Sequence, residues 1–119
     1  MQKAPAATVI DLANAIKELF HADNNIRIIG ARHGEKMYET LCTSEEMGKA
    51  VDMGDFYRVP ADLRDLNYSN YVDKFGHRVD AQDYNSDNTH RLDVEALKRL
   101  LVSLDYVKKE LADYKSREL

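Results

Sequence analysis

The sequence has 119 residues, of which 44% are hydrophobic and 32% are charged, and this composition is that of one soluble globular domain rather than a fibrous chain. The net charge of -4 argues against binding of nucleic acid or an anionic membrane, since both favour a basic excess. The single cysteine, Cys42, excludes an intramolecular disulfide and fits a reducing cytoplasm, and no apolar run is long enough to predict a transmembrane helix.

The N-terminal part of the chain is predicted to be extended and then helical. Residues 1–7 are predicted to be extended, because Pro5 disfavours helix in the residue before it. Apolar side chains then recur at helical spacing and predict an amphipathic helix over 9–21. Thr8, with Asp11 three residues later, is a weak form of the capping box and predicts where this helix begins.

The middle of the chain is predicted to alternate between short strands and short helices. The β-branched run 26–29 predicts a strand that ends at Gly30, and 35–42 predicts a helix that carries Cys42 on its apolar face as a small core residue. A capping box at Thr43 predicts a further helix to about Val51. Residues 56–59 predict a second strand, which Pro60 ends.

The last part of the chain is predicted to be irregular and then helical. Residues at about 60–90 are rich in Asp, Asn and Tyr, and they show neither the helical nor the strand period. A loop of this length is usually functional or disordered. Helices are predicted over 92–117, with Asp93 and Asp105 as N-caps. Residues 1–119 therefore predict a single α+β domain, mostly helical, with a few short strands.

One short motif combines residues that suit a nucleotide ligand. Arg32, Gly34 and Glu35 follow the predicted strand end directly, where sites of α/β proteins tend to lie. Arginine presents a planar fork of donors to phosphate oxygens, glycine permits a close approach, and a carboxylate at a helix start can accept from sugar hydroxyls. From the residues alone, an Arg–Glu surface pair at a strand–helix turn, which contributes little energy, is the favoured explanation of the motif.

Other candidate chemistry in the sequence is incomplete. Residues 83–87 resemble the start of a calcium loop, but Asn88 stands where the loop needs glycine and Val94 where it needs a bidentate glutamate. The four histidines lack metal-ligand spacing, so we expect no metal site. The sequence has no glycine-rich dinucleotide fingerprint, and no tyrosine has a lysine four positions later.

Three long motifs resemble one enzyme family. They are IRIIGARHGEKMYETL, EEMGKAVDMGDFYRVPADLRDLNY and DYNSDNTHRLDVEALKRLL. They are similar to the C-terminal part of bacterial polysaccharide-biosynthesis enzymes, which are extended short-chain dehydrogenase/reductases that act on UDP-sugars. The resemblance is strongest to UDP-N-acetylglucosamine 4,6-dehydratases (5-inverting) of capsule and O-antigen synthesis, often labelled UDP-glucose 4-epimerases. It runs from Gln2 to about Tyr106.

The resemblance implies roles for four residues in binding a UDP-sugar, with UDP-N-acetylglucosamine as the expected substrate. The family's Arg-x-Gly-Glu-Lys motif maps onto Arg32, Gly34 and Glu35, followed by Lys36. In related enzymes the arginine contacts the diphosphate and the acidic residue contacts the ribose. Lys3 is a further candidate, because it lies where the family has a strand that leads to the uracil and phosphate region. The resemblance assigns no role to the signature Tyr84-Asn85-Ser86, Asn88-Thr89, Arg91-Leu92-Asp93.

The resemblance also implies that the catalytic machinery lies outside this chain. The family's NADP-binding Rossmann domain, glycine-rich loop and Tyr–Lys pair would precede Met1, so we expect a substrate-binding domain, a fragment of a larger enzyme that binds no cofactor itself and is inactive alone. The full enzyme would oxidise C4, eliminate water across C5 and C6, return the hydride at C6 and invert C5. We expect exposed apolar patches where the Rossmann domain would pack, disorder in part of 60–90 and association into a homo-oligomer.

Two alternatives remain open from the sequence. One keeps the enzyme and changes the reaction to plain C4 epimerisation of a UDP-sugar. The other is a stand-alone, non-catalytic interaction module that assembles with a partner through 60–90 and the terminal helices. Loss of UDP binding in Arg32→Ala would support the site in either enzyme reading.

Overall fold

The computed structural model describes residues 1–61 and 82–117, which divide into two compact units. The strand unit consists of Met1–Ala4 and the described part of Tyr38–Thr89, and the helix unit consists of Pro5–Met37 and the described residues from His90 onward. Among the described residues, no helix combines the length and the apolar composition that crossing a bilayer requires.

The helix unit begins with α1, Val9–Leu19. The Thr8 hydroxyl accepts a hydrogen bond from the Asp11 N–H at 3.1 Å, so the predicted cap is confirmed. The helix ends two residues earlier than predicted, and His21 then adopts a left-handed backbone with φ of 49° that no α-helix can continue through. Ala15 is buried, because its small side chain lets another helix approach closely.

Two further helices complete this unit: α3, Val94–Ser103, and α4, Asp105–Arg117. Asp93 caps α3 by accepting from the Ala96 N–H at 2.8 Å, as predicted. Asp105 is the first residue of α4 rather than its cap, because the break in the helix falls at Leu104, whose ψ is 127°.

Packing in the helix unit joins its first helix to the last two. α1 packs on α3, where Leu97 is buried, and Phe20 meets the Tyr114 ring edge-on at 5.4 Å between ring centroids. Lys98 of α3 bonds to Glu18 of α1 at 2.8 Å and to Glu95 at 3.0 Å. The chain before α1 is held by a parallel β-bridge between Ala6 and Arg91.

The strand unit contains two antiparallel strand pairs and one helical turn. β1, Thr40–Cys42, pairs with β4, Tyr84–Asn85, and β2, Val51–Asp52, pairs with β3, Tyr57–Arg58. The helical turn α2, Ser44–Met47, follows β1. Gln2 bridges Phe56, so the first residues of the chain pair beside β3. Gly54 turns the β2–β3 hairpin with φ of 83°, a conformation that glycine adopts without strain.

The capping box predicted at Thr43 is confirmed. The Thr43 hydroxyl accepts from the Glu46 N–H, and the Glu46 carboxylate accepts from the Thr43 N–H at 2.9 Å. The helix nevertheless ends at Met47 and not near residue 51, because Val51 and Asp52 form a ladder with β3. The strand predicted at 56–59 is confirmed over Tyr57–Arg58.

Two predicted elements are wrong. No strand forms at 26–29, where the side chains of Ile28 and Ile29 are 82% and 73% exposed, because a β-branched run is a strand only where it finds a pairing partner. No helix forms at 35–42, because Thr40–Cys42 pairs with β4 and this distant partner overrides the local helical period. Cys42 is buried as predicted, on a strand.

The predicted irregular segment at 60–90 is described only at its ends. Tyr84–Asn85 within it form β4, and residues 62–81 lie outside the described residues, so the disorder expected in part of 60–90 stays a prediction. Beyond it, α3 and α4 occupy the region where helices were predicted.

Candidate functional site

Arg32 and Glu35 close a turn by bonding to each other twice. The Arg32 N–H donates to Glu35 Oε2 at 2.8 Å, and the Glu35 N–H donates to the Arg32 carbonyl at 3.1 Å. Gly34 stands inside the turn with φ of 86°, which favours glycine strongly. The structure thus brings three of the four predicted site residues together in one preformed loop of the helix unit.

The side chains of this turn are available to a ligand. Arg32 and Glu35 are exposed, and the Arg32 guanidinium forms no hydrogen bond or ion pair with any residue in the described ranges. None of the described residues therefore occupies its five N–H donors, which suit an anion. Glu35 uses one carboxylate oxygen on the Arg32 backbone, so the other remains an acceptor for hydroxyl groups.

The surroundings of the turn differ from the prediction. The turn follows no strand, since 26–29 is unpaired with described residues, and Glu35 does not stand at a helix N-terminus. The stabilisation comes instead from the reciprocal backbone and carboxylate bonds. Equally, the Arg–Glu surface pair considered above is absent as an ion pair, because Glu35 bonds to the backbone of Arg32 rather than to its guanidinium.

Lys3, the fourth predicted residue, lies in the strand unit and has partners of its own. Its Nζ donates to Asp52 Oδ1 at 2.7 Å and stands 4.4 Å from the centroid of the Tyr57 ring. The hydrogen bond to Asp52 raises the pKa of Lys3, and the same bond lowers the pKa of Asp52. Lys3 is therefore a fixed cation. Its contact with a ligand stays a prediction.

The signature from Tyr84 to Asp93, to which the sequence assigned no role, organises the chain around the N-terminal residues. The Thr89 hydroxyl donates to the Ala4 carbonyl at 2.8 Å and bonds to the Tyr84 hydroxyl. The Leu92 N–H donates to the Ala6 carbonyl at 2.8 Å. The bonds to Ala4 and Ala6 are invisible in the sequence, because each joins residues more than 80 positions apart.

Asparagines close the loop within the same signature. Asn85 Oδ1 accepts from the N–H groups of Asp87 and Asn88, both at 2.9 Å, and the Asn88 amide donates to the Asp83 carbonyl at 2.6 Å. The Ser86 hydroxyl accepts from the Glu39 N–H at 2.8 Å. The asparagine side chains in the run that resembled a calcium loop thus bond to the backbone of their own turn.

Neither a metal nor a dinucleotide finds a suitable cradle in the described residues. They contain no group of three or more His, Cys, Asp or Glu side chains placed to share a metal ion. The glycines with positive φ, Gly30, Gly34 and Gly54, stand singly, and no helix follows any of them within three residues as a dinucleotide loop requires.

Comparison with known proteins identifies the family. Residues 1–61 match the family of polysaccharide biosynthesis proteins, and residues 62–108 match the family described as polysaccharide biosynthesis protein C-terminal. The chain belongs to the polysaccharide biosynthesis protein family.

Individual relatives agree with this family. The chain is 53% identical over 112 residues to a protein named UDP-glucose 4-epimerase from Rickettsia felis, covering 93% of this chain and 33% of the relative. A protein of the same name from Rickettsia rickettsii is 52% identical over the same coverage. The chain therefore spans about a third of the length of the curated relatives it matches.

Proposed function

We propose that this chain supplies the UDP-sugar-binding part of a nucleotide-sugar enzyme of polysaccharide biosynthesis. The observation that carries the proposal is the Arg32–Glu35 turn, in which the Glu35 carboxylate bonds to the Arg32 backbone and the Arg32 guanidinium has no partner among the described residues. The name of the relatives, UDP-glucose 4-epimerase, supports the same ligand class.

In this proposal each group of the turn has a separate task. The Arg32 guanidinium binds the diphosphate through paired N–H donors, which is the geometry that favours arginine at phosphate sites. The free oxygen of Glu35 accepts from the ribose hydroxyls. Gly34 keeps the backbone between them free of a side chain, and a Cβ at this position would meet nothing within 4 Å, so a ligand has room there.

The reaction is proposed for the longer protein. We propose a 4,6-dehydratase that inverts C5 and acts on UDP-N-acetylglucosamine, because the motifs resemble that subgroup. In that longer protein, a Rossmann domain would hold NADP. This chain would bind and orient the UDP-sugar at a distance from the reacting carbon. A cytoplasmic homo-oligomer belongs to the same proposal. The relatives' name favours a second candidate, plain C4 epimerisation.

The binding proposal is tested by titrating UDP into the chain and its Arg32→Ala variant by NMR. Removing a charge-assisted hydrogen-bond pair costs about 1.5–3 kcal/mol, so the dissociation constant should rise roughly 10- to 100-fold. Arg27→Ala is the matched control, because Arg27 is exposed in the same segment outside the turn. Equal affinities for UDP in Arg32→Ala and the wild-type chain would refute the site.

The role of Glu35 is tested with UDP and 2′-deoxy-UDP. The wild-type chain should prefer UDP, because only UDP donates its 2′-hydroxyl to the carboxylate. Glu35→Gln keeps an acceptor for the Arg32 N–H and weakens the charged acceptor, so the preference should shrink. A preference that is unchanged in Glu35→Gln would assign ribose recognition elsewhere.

The reaction is tested in a polypeptide that joins this chain to the remaining two-thirds of a relative. UDP-N-acetylglucosamine that loses the mass of one water identifies the dehydratase, and conversion without a change of mass identifies the epimerase. A fusion that folds, binds UDP and converts neither UDP-N-acetylglucosamine nor UDP-glucose would favour the interaction module.

A further inference from the structure

The backbone around Lys3 is held from both sides within the strand unit. Before it, the Lys3 N–H itself donates to the Asp55 carbonyl at 2.9 Å. After it, the Ala4 carbonyl accepts from the Thr89 hydroxyl at 2.8 Å, and the Tyr84 hydroxyl oxygen lies 3.3 Å from the same carbonyl. Because Thr89 gives its single proton to Ala4, Tyr84 donates in the bond between the two hydroxyls.

The side chain of Lys3 is held by the same cluster. Its ammonium group lies between the Asp52 carboxylate and the face of the Tyr57 ring. The Tyr57 ring in turn meets the Tyr84 ring at 5.5 Å and an interplanar angle of 70°. Tyr84 therefore touches both the ring under the ammonium group and the hydroxyl that bonds to the backbone after Lys3.

We infer that Tyr84 and Thr89 are positioning residues that fix the ammonium group of Lys3 for an anionic ligand, an inference that rests on the proposed function. Among the described residues, Asp52 takes one of the three N–H donors of the ammonium group, which leaves two for an anionic ligand. Thr89 is only 8% exposed, so its hydroxyl acts through the Ala4 carbonyl and not by touching the ligand. A positioned cation binds an anion more tightly than a mobile one, because less side-chain entropy is lost on binding.

A double-mutant cycle between Lys3 and Thr89 tests the inference through UDP affinity. Lys3→Met should weaken UDP binding by roughly tenfold, the size of one charge-assisted contact. Thr89→Val, which removes the hydroxyl and keeps the shape, should weaken binding several-fold with Lys3 present and leave it unchanged in Lys3→Met. Thr89→Ser should restore most of the affinity. Independent, additive effects of the two substitutions would overturn the inference.

A second measurement follows Lys3 directly and needs no ligand. The rate at which an amine-acylating reagent modifies Lys3 is measured by peptide mass spectrometry, relative to exposed Lys109. In the wild-type chain Lys3 should react slowly, because its raised pKa leaves little free amine. Tyr84→Phe and Thr89→Val should raise that rate several-fold. Unchanged Lys3 rates in both folded variants would overturn the inference.

The controls separate positioning from general loss of structure. Thr43→Val breaks a cap in the same unit and should lower stability without changing the Lys3 rate. Tyr106→Phe alters a tyrosine that is 74% exposed and should change neither readout. If the wild-type chain fails to bind UDP, the proposed function fails and the Lys3 rates still decide the inference. If UDP binds and the cycle is additive, the inference alone fails.

Discussion

Gly34 is the residue whose backbone the Arg32–Glu35 turn depends on most. Its φ of 86° strains any other residue, while a Cβ there would meet nothing within 4 Å. Gly34→Ala should therefore destabilise the turn by about 1–2 kcal/mol through the backbone alone. UDP affinity, measured by NMR titration, should fall by about tenfold, since 1.4 kcal/mol is a factor of ten.

Gly48→Ala is the matched comparison. Gly48 ends α2 with φ of -61°, a backbone conformation that alanine adopts without strain, so Gly48→Ala should leave UDP affinity constant. Equal UDP affinities in Gly34→Ala and Gly48→Ala would show that the left-handed backbone at Gly34 does not matter for binding.

Cys42 gives a pH-dependent prediction at the same scale. Burial raises the pKa of its thiol, and the neighbouring Glu46 carboxylate raises it further. Less thiolate is then present at pH 8, so alkylation by iodoacetamide should be at least about tenfold slower in the native chain than in urea. Glu46→Gln keeps the capping-box acceptor but loses the charge, and should speed native alkylation. Equal native and urea rates would contradict the burial.

The raised pKa of Cys42 also makes the free energy of unfolding depend on pH. Because the unfolded chain releases the thiol proton at a lower pH than the folded chain, this contribution to the free energy of unfolding is complete below the ordinary thiol pKa. It is lost as pH rises through the higher pKa of the folded state. Cys42→Ala should lack this alkaline decline, which urea titrations across the alkaline range would measure.

Among the elements, α3 depends on one side chain at its start. Asp93 accepts from the Ala96 N–H at 2.8 Å, so Asp93→Ala should cost about 1 kcal/mol of unfolding free energy in urea titration. Asp93→Asn keeps a good cap and should lose much less. An Asp93→Ala chain as stable as Asp93→Asn would mean that α3 is held by packing on α1 alone.

Elements set by neighbouring residues could be predicted, and those set by distant partners could not. The caps at Thr8, Thr43 and Asp93 each bond three residues ahead, so their signals are local. β1 pairs with β4 across more than 40 residues, and nothing within 35–42 indicates that partner. The β-branched run 26–29 predicted a strand, but no described residue pairs with it. The local pattern does not show whether a partner strand exists.

The candidate site likewise contains a local group of residues, which the sequence could predict, and a group of distant residues, which it could not. Arg32, Gly34 and Glu35 form a local turn, so a short motif was sufficient to find them. The cluster around Lys3 joins residues 49 to 85 positions apart, through Asp52, Tyr84 and Thr89. No periodicity or spacing links these positions, and the sequence marked Tyr84 and Thr89 only as part of a signature without a role.

For the molecule as a whole, the amount of exposed apolar surface is the leading feature. Val9, Ile28 and Met37 of the helix unit are each more than 80% exposed. That they belong to the apolar patches expected from the sequence stays a prediction. A contiguous apolar patch ordinarily marks an interface. Fusion to the remaining two-thirds of a relative should therefore lower the fluorescence of the dye ANS per mole of chain. Fluorescence as strong in the fusion as in the chain alone would show that the added polypeptide leaves these side chains uncovered.

The first six residues also determine when the fold can be completed. The hydrogen-bond partners of residues 3–6 include Asp52 and Thr89 in the strand unit and Leu92 in the helix unit, all of which are translated after them. On the ribosome, residues 3–6 must therefore wait for Leu92 to be translated before all of these bonds can form. Contacts between residues so far apart in the sequence form slowly. The pairing of residues 3–6 with these distant partners should therefore limit the folding rate of this chain.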